Sequence, residues 1–372
     1  MYMKNKVNVI NVIKFAGAYV AFVIGSGFAT GQEILQFYTS NGIWSIGSIL
    51  ISMVMFSFFA SVVIGSGYEY RDDDNFKPYQ HFCGKYLGKI YDIITPICLF
   101  LILVVMVSGA GATLNEYYGL NVQMGSAIMV ALVLVAFLFG LDNLINIVGL
   151  LGPVILGFAI AVGVVILFRN GANISDATAQ IQNLNMTKTS DRWIVNGILY
   201  AAYNSALGVA FVSSIGKGAN CKKEAMLGGV VGGVSLMAAV LVMNLALLSK
   251  VTDVYDLAIP TLYFAKSISP ILGAIFSVIL LCGIFSTAAP MFWTVTDTFS
   301  KVLFKSDKFK TKIMAFLIAA VAFAGGVLPF ETLVNVIYPY TGYLGIVLFV
   351  CVVFKCIKTK KQEDTQDYKK AS

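Results

Sequence analysis

The sequence predicts an all-α protein that crosses a lipid bilayer about ten times. Hydrophobic residues make up 58% of the 372 residues and charged residues only 12%, about half the charged fraction of a typical soluble domain. The apolar stretches are long enough to span the hydrocarbon core as helices. They cover roughly residues 7–39, 43–67, 90–116, 121–140, 142–168, 191–214, 225–249, 269–302, 312–328 and 332–354.

The basic residues predict the topology. If the N-terminus is cytoplasmic, only five of the 26 Lys and Arg residues fall in outer segments, namely Arg169, Lys188, Arg192, Lys250 and Lys266. This bias follows the positive-inside rule and predicts that both termini are cytoplasmic. We expect a multi-pass protein of a bacterial cell membrane. Because the charges sort by membrane side, the net charge of +7 gives no reason to expect nucleic acid as a partner.

Ten spans divide into two sets of five. We place the first repeat at 1–168, an outer loop at 169–190, the second repeat at 191–354 and a cytoplasmic tail at 355–372. Because five is odd, the two halves cross the membrane in opposite directions, as in five-plus-five inverted repeats. In such proteins an interrupted first helix in each half indicates the substrate site.

The first span contains the run Gly25-Ser26-Gly27-Phe28-Ala29-Thr30-Gly31. Each glycine inside a helix costs about 1 kcal/mol relative to alanine, and unpaired backbone groups at membrane depth are tolerated where they line a cavity. We therefore predict an unwound segment in which Gly25, Ser26 and Gly27 contact a small polar solute and Thr30 caps the outer half-helix. The alternative is a small-residue face for helix packing.

The sixth span has weak helix formers at its centre, and they predict a second interruption. Tyr203, Asn204, Ser205 and Gly208 combine polar side chains with a glycine in the first helix of the second half. Taken alone, this pattern fits helix packing equally well. Its correspondence with the first span favours a binding site.

Four further positions are candidates for coupling or gating. Glu33 is the acidic residue of the first span, where a buried carboxylate is costly and usually functional; a solvated carboxylate in a vestibule is the alternative. Ser286 and Thr287 could supply oxygens to a cation, or could bond back to their own helix. Asp297 is either a cytoplasmic gate charge or the hydrated end of a long helix.

Catalysis is not expected from this chain. The six cysteines form no CxxC or metal-ligand spacing, and the single histidine, His81, rules out a histidine-based metal site. We see no paired carboxylates, activated nucleophile or nucleotide-binding motif. We therefore expect neither an enzyme nor an organic cofactor, and no resident metal other than a candidate Na⁺ ion.

The run Gly25–Glu33 resembles the first-helix motif of the amino acid/polyamine/organocation permeases, and in particular the bacterial YkvI-type amino acid permeases. The resemblance extends over all ten spans in number and topology. It implies a LeuT-type fold in which helices 1 and 6 are unwound around a central substrate.

The resemblance also implies roles for individual residues. The substrate carboxylate would lie on the backbone of 25–27 and the amino group near carbonyls of Ala21, Phe22 and Tyr203, while Asn204, Ser205 and Gly208 would frame the side-chain pocket. Ser286 and Thr287, with carbonyls near Ala21 and Ile24, match a Na⁺ site. Phe28 replaces the amide of members that bind an additional Na⁺, and the fifth span lacks the lysine of some proton-coupled members.

The predicted function is secondary active transport of a small amino acid or related zwitterion by alternating access. Coupling would be to Na⁺ or, through Glu33, to H⁺. The alternative is a permease-like sensor subunit that binds a small molecule without moving it and signals to a partner chain of unknown identity.

Overall fold

The computed structural model of the chain describes residues 7–73, 75–139, 144–304 and 307–371. The predicted start of the fifth span at 142, and the basic residues Lys4 and Lys6, lie outside these ranges. The α-helices are α1 (Val9–Val23), α2 (Ser26–Thr30), α3 (Gln32–Phe37), α4 (Ser45–Glu69), α5 (Pro78–Tyr118), α6 (Val122–Phe139), α7 (Leu144–Asn170), α8 (Ile174–Asn183), α9 (Trp193–Ile215), α10 (Lys222–Leu248), α11 (Val251–Val254), α12 (Pro260–Ile268), α13 (Pro270–Phe304), α14 (Lys308–Gly326) and α15 (Phe330–Ala371).

Within the described ranges, nine helices are long and apolar enough to cross a membrane. The first predicted span is the exception, because it is divided into α1, α2 and α3. Together these three pieces occupy the place of a tenth crossing. The all-α membrane class is therefore confirmed, while the count of ten complete spans stays a prediction.

The ends of the helices follow the hydropathy pattern with two instructive differences. α5 begins with a short amphipathic segment at Pro78. This segment ends at Gly84, whose φ of 76° interrupts the helical backbone. The main part of α5 then runs from Lys85 to Tyr118. α15 continues to Ala371, well past the predicted end of the last span at 354.

The contacts between helices repeat between the two halves of the chain. α4 packs on α9, and its counterpart pair is α1 with α10. In the same way α5 packs on α6 and α15, while α13 packs on α14 and α7. These contacts of the first five spans thus have equivalents among the second five, which is the pattern expected of an inverted repeat.

Glycines allow a close contact between α4 and α10. α4 and α10 touch at Gly229 and Gly233, where an added Cβ would collide with backbone atoms of Ala60, Ser61 and Ser57. The two glycines are four residues apart and so lie on one face of α10. Association of helices in lipid depends on such close approach of backbones, because lipid and side chains are equally apolar.

The predicted interruption of the sixth span is wrong. α9 is a continuous helix of 23 residues from Trp193 to Ile215. Asn204 donates from Nδ2 to the carbonyl of Tyr200 at 3.0 Å, and Ser205 donates from Oγ to the carbonyl of Ala201 at 2.7 Å. These polar side chains are satisfied within their own helix, so they do not require the backbone to unwind.

Candidate functional site

The first span is broken where its glycines predict. α1 ends at Val23, and Ile24 and Gly25 are extended, with φ/ψ of −75°/98° and −101°/−170°. The chain returns to helix for five residues, turns at Gly31 in the left-handed region (φ 84°), and then forms α3. Thr30 is the last residue of α2, and its hydroxyl donates to the carbonyl of Gly27 at 3.0 Å and accepts from the amide of Gln32 at 3.3 Å. The N-cap of α3 is Gly31, not Thr30.

A cavity of about 710 Å³ begins at this break, and we call it the large chamber. Its wall is formed by α1, α2, α5, α7, α9 and α13. The residues that line it are Ala18, Ala21, Phe22, Ile24, Gly25, Ser26, Ala29, Tyr79, Asp92, Thr95, Pro96, Leu99, Ile155, Leu207, Ala210, Phe211, Gly283, Ser286, Thr287, Pro290, Met291 and Thr294.

The large chamber lies between the break and one side of the membrane. Its residues on α5 extend from Tyr79 to the middle of that helix, those on α9 come from its later part, and those on α13 extend from its middle to Thr294. These parts run from the middle of the membrane to the predicted cytoplasmic side. Asp92 and Ala210 are exposed, which places the mouth of the chamber on this side.

A second cavity of about 50 Å³ adjoins the large chamber, and we call it the small chamber. It is lined by Phe22, Val23, Gly25, Glu33, Leu99, Ile102, Met106, Tyr203, Asn204, Leu207, Thr287, Met291 and Tyr338. Phe22, Gly25 and Thr287 belong to both walls, so the two cavities meet at the broken helix. The ring of Phe22 stacks on that of Phe211, with centroids 4.9 Å apart.

Glu33 is the charged residue of the small chamber. Its side chain is buried, and Oε2 accepts a hydrogen bond of 2.5 Å from the hydroxyl of Tyr203. The other oxygen, Oε1, lies against Gly27, where an added Cβ would collide with it. The turn at Gly31 thus folds the carboxyl of α3 back onto α2, and Glu33 faces the site instead of an outer vestibule.

Aromatic rings surround this carboxyl. Tyr203 and Tyr338 stack nearly parallel, with centroids 4.8 Å apart and an interplanar angle of 7°. Tyr200 meets Tyr203 edge to face at 5.6 Å. The phenols bring apolar surface and hydroxyl dipoles to a buried place beside the broken helix.

The predicted outer side is closed above the small chamber. The hydroxyl of Thr261, on α12, donates to the carbonyl of Ala29 at 2.6 Å and holds α12 over the turn between α2 and α3. Gln36 Nε2 donates to the carbonyl of Glu331 at 3.0 Å and joins α3 to α15. These contacts, together with the buried side chains of α3, separate the chambers from that side.

The structure brings most of the predicted binding residues to the two chambers. Ser26 lines the large chamber and donates from Oγ to the sulfur of Met106 at 2.8 Å. Asn204 and Tyr203 line the small chamber. Gly208 instead packs against the ring of Phe22, which an added Cβ would meet. Neither Gly208 nor Ser205 is among the described residues that line the two chambers. The hydroxyl of Ser205 bonds within α9.

The predicted Na⁺ ligands share one wall. Ala21, Ile24, Ser286 and Thr287 all line the large chamber. Both hydroxyls donate to the carbonyl of Gly283, at 2.7 Å and 3.2 Å. Both hydroxyls therefore bond back to their own helix, which is the alternative that the sequence left open. Their oxygen lone pairs are what they can still offer to a hydrogen-bond donor or a cation.

Asp297 lies apart from this group. It accepts a hydrogen bond of 2.6 Å from Lys301 Nζ, one turn along the same helix, and it is partly exposed. It does not line either chamber in the described part of the chain. The structure therefore favours the hydrated end of a long helix over a gate charge.

Sequence reasoning missed Tyr338 as a site residue. Tyr338 and Tyr340 stand on either side of Pro339, and this pattern predicts a structural role for both at the start and kink of the last span. Tyr338 is buried and lines the small chamber, whereas Tyr340 is exposed. A tyrosine next to a helix-kinking proline was the available signal, but only packing against Tyr203 identifies which of the two phenols belongs to the site.

Two bacterial proteins are similar to almost the whole chain. Both come from Bacillus subtilis (strain 168) and are 24% identical to it: the uncharacterized membrane protein YkvI over 347 residues (92% of this chain and 95% of the relative) and the uncharacterized protein YyaD over 339 residues (91% and 95%). No protein-family model matches the chain.

Solved structures show the fold. MhsT in complex with L-phenylalanine matches with a TM-score of 0.57, covering 91% of this chain and 87% of MhsT at 14% identity. An inward-facing conformation of Mhp1 matches with a TM-score of 0.60 (92% and 75%, 14% identity), and a manganese transporter of Eremococcus coleocola with 0.56 (93% and 77%, 15% identity). The chain is therefore similar over more than nine-tenths of its length to the membrane protein YkvI and to the protein YyaD, and it has the LeuT-type fold.

Proposed function

We propose that this protein is a secondary active transporter of a small amino acid or related zwitterionic solute, working by alternating access. The observation that carries the proposal is the position of the large chamber. It runs from the broken first span to the predicted cytoplasmic side, while hydrogen bonds of Thr261 and Gln36 close the other side. A site at mid-membrane that is open to one side only corresponds to one state of an alternating-access cycle.

The size and lining of the large chamber suit a small solute. Its volume of about 710 Å³ falls in the range of small-molecule sites, which are mostly apolar with a few placed polar groups. Among the structural neighbours, MhsT is in complex with L-phenylalanine, whereas another neighbour is a manganese transporter. Proteins of this fold therefore bind chemically different ligands, and the residues of the site, not the fold, decide the substrate.

The break supplies contacts for a carboxylate. The first amides of a helix have no partner inside the helix, and at the start of α2 these amides belong to Ser26, Gly27 and Phe28. Gly25, in extended conformation, leaves room for a solute to approach the backbone. The amino group of a zwitterion would then lie towards Glu33 and Tyr203.

Coupling has two candidate sites. In the first, Na⁺ binds the hydroxyl oxygens of Ser286 and Thr287 together with carbonyls of the broken helix. All of these residues line one wall, and neutral oxygen ligands are what a weakly bound hard cation requires. In the second, Glu33 carries a proton. The two differ in their response to replacement of Na⁺ by choline.

Counterflow in liposomes tests the proposal. Purified protein would be reconstituted into vesicles loaded with an unlabelled amino acid, and uptake of the labelled compound would be followed in Na⁺ and in choline buffer. We expect transient accumulation of the label for at least one amino acid, which protein-free vesicles lack. A screen of thermal stability in detergent against small metabolites would select the compounds to label.

The second candidate is a sensor that binds but does not transport. It is favoured by the same site geometry, because binding needs the small chamber and does not need the opposite side to open. A ligand that raises the thermal stability of the protein but shows no counterflow would overturn the transporter proposal and support the sensor.

A further inference from the structure

The charges that line the two chambers are all acidic. Glu33 lies at the inner end, in the small chamber, and Asp92 lies at the exposed mouth of the large chamber. Among the described residues that line either chamber, none is Lys, Arg or His. A path with acidic groups at both ends and no basic group attracts cations and repels anions.

Among the residues that the structure describes, the carboxyl of Glu33 has no cationic partner. Its contacts are the hydroxyl of Tyr203 on one oxygen and the backbone at Gly27 on the other. None of the salt bridges among the described residues involves it. A buried carboxyl is stabilised either by protonation or by a counter-charge, because desolvation of the carboxylate is expensive. A cation brought by the solute would stabilise the carboxylate form.

The walls beside the carboxyl also suit a cation. The stacked rings of Tyr203 and Tyr338 and the ring of Phe22 line the same small chamber. An organic ammonium within about 6 Å of an aromatic ring is attracted by the negative face of the ring, and more strongly where water is excluded. Leu99, Ile102 and Met106 complete the wall and fit an alkyl chain.

The contacts for a solute carboxylate are weaker by comparison. They consist of the amides at the start of α2, and α2 has only five residues. The positive end of a helix depends on aligned peptide dipoles, and a single turn aligns few of them. The carboxylate form of Glu33 carries a full charge, which exceeds the partial charges of these amides, so this form selects the amine end of the solute.

We propose that the small chamber binds the ammonium group of an organic amine on the carboxylate of Glu33, between the rings of Tyr203, Tyr338 and Phe22, and that a carboxylate on the solute is dispensable. The inference deepens the proposed function, since it names the group by which the solute is recognised. It places amines and decarboxylated amino acids among the ligands, beside the zwitterions.

The first test uses the unmodified protein and ligands that share one side chain. Thermal stability and equilibrium binding would be measured with 3-methylbutylamine, L-leucine and 4-methylpentanoate, and with the matched pairs of n-alkylamines and n-alkylcarboxylates from three to six carbons. We expect the amines to bind at least tenfold more tightly than their carboxylates, and 3-methylbutylamine to bind no more than threefold more weakly than L-leucine. If no amine exceeds its matched carboxylate, or if L-leucine binds more than tenfold more tightly than its amine, the proposal is wrong.

The second test removes the charge. Glu33→Gln keeps the size of the side chain and a carbonyl acceptor for Tyr203, and we expect it to weaken amine binding at least tenfold. Tyr338→Leu removes a ring and should weaken it by a smaller factor, whereas Tyr340→Leu, at the exposed neighbouring tyrosine, is the matched control. Stabilisation by Na⁺ alone that disappears in Glu33→Gln, without any amine effect, would assign the carboxyl to an inorganic cation and overturn the proposal.

Counterflow with the same ligands separates this inference from the proposed function. Amine binding without exchange of any labelled ligand would overturn transport and leave the amine site in place. Exchange of labelled L-leucine that 3-methylbutylamine does not compete for would support transport and overturn the amine site.

Discussion

The hydroxyl of Tyr203 donates a hydrogen bond of 2.5 Å to the carboxyl of Glu33, 170 residues earlier in the chain. The contact joins α3, which belongs to the first predicted span, to α9, which is the sixth. It also holds the carboxyl against the backbone at Gly27, beside the small chamber. The position of the one charged group of this chamber therefore depends on both halves being folded together.

Tyr203→Phe should destabilise the protein because it leaves a buried carboxyl without its donor. A buried polar group that loses its partner costs about 1–3 kcal/mol, and more when it is charged. We expect the free energy of unfolding in detergent to fall by about this amount, as measured by chemical denaturation. The matched control is Tyr86→Phe, because Tyr86 is 84% exposed; equal effects of the two changes would contradict the assigned role of the hydrogen bond.

Gly27→Ala should disrupt the site. A Cβ at this position would collide with the carboxyl of Glu33, so the side chain must leave its place beside Tyr203. We expect loss of ligand binding by at least tenfold in an equilibrium binding measurement. In contrast, an added Cβ at Gly17, inside α1, meets nothing within 4 Å. Gly17→Ala should therefore be neutral or stabilising by up to about 1 kcal/mol, the helix propensity difference.

A double-mutant cycle identifies the cause of the Gly27 effect. In a Glu33→Ala background the side chain that causes the collision is gone, and Gly27→Ala should cost little further thermal stability. If the cost of Gly27→Ala is the same in both backgrounds, the collision is with another part of the protein and the geometry of the site is wrong.

Ala210→Cys should react with a membrane-impermeant thiol reagent applied from the predicted cytoplasmic side. Ala210 is exposed at the mouth of the large chamber. In a variant lacking the six native cysteines, we expect labelling at least tenfold faster from this side than from the other. Ala265→Cys, at a fully buried position of α12, is the matched control and should stay unlabelled. Faster labelling of Ala210→Cys from the opposite side would reverse the predicted topology.

Ser286→Ala combined with Thr287→Val should abolish any dependence of ligand binding on Na⁺. Both changes remove hydroxyl oxygens from the wall of the large chamber while keeping similar volume. We expect binding in Na⁺ to fall to the level measured in choline, with binding in choline unchanged. Thr294→Val, on the same helix and the same wall, is the control. Na⁺ dependence that survives the double change would remove these hydroxyls from the ion site.

Much of the fold follows from local composition. The positions of the spans depend on hydropathy, and the break at Ile24 and Gly25 depends on glycines that weaken the helix at that point. The same local reasoning was wrong for α9, because Asn204 and Ser205 satisfy their side chains on carbonyls one turn earlier. Whether a polar residue in a span opens the backbone or bonds back to it is a matter of side-chain orientation, which residue type alone does not specify.

The sequence by itself determined that this is a polytopic helical membrane protein with a broken first span and an acidic residue, Glu33, near the break. Only the tertiary structure decided that Glu33 faces Gly27 and Tyr203 instead of an outer vestibule, that Tyr338 belongs to the site, and that the large chamber opens on one side. The physical reason is range: helix formation and hydropathy depend on neighbouring residues, whereas these three features depend on contacts between helices far apart in the chain.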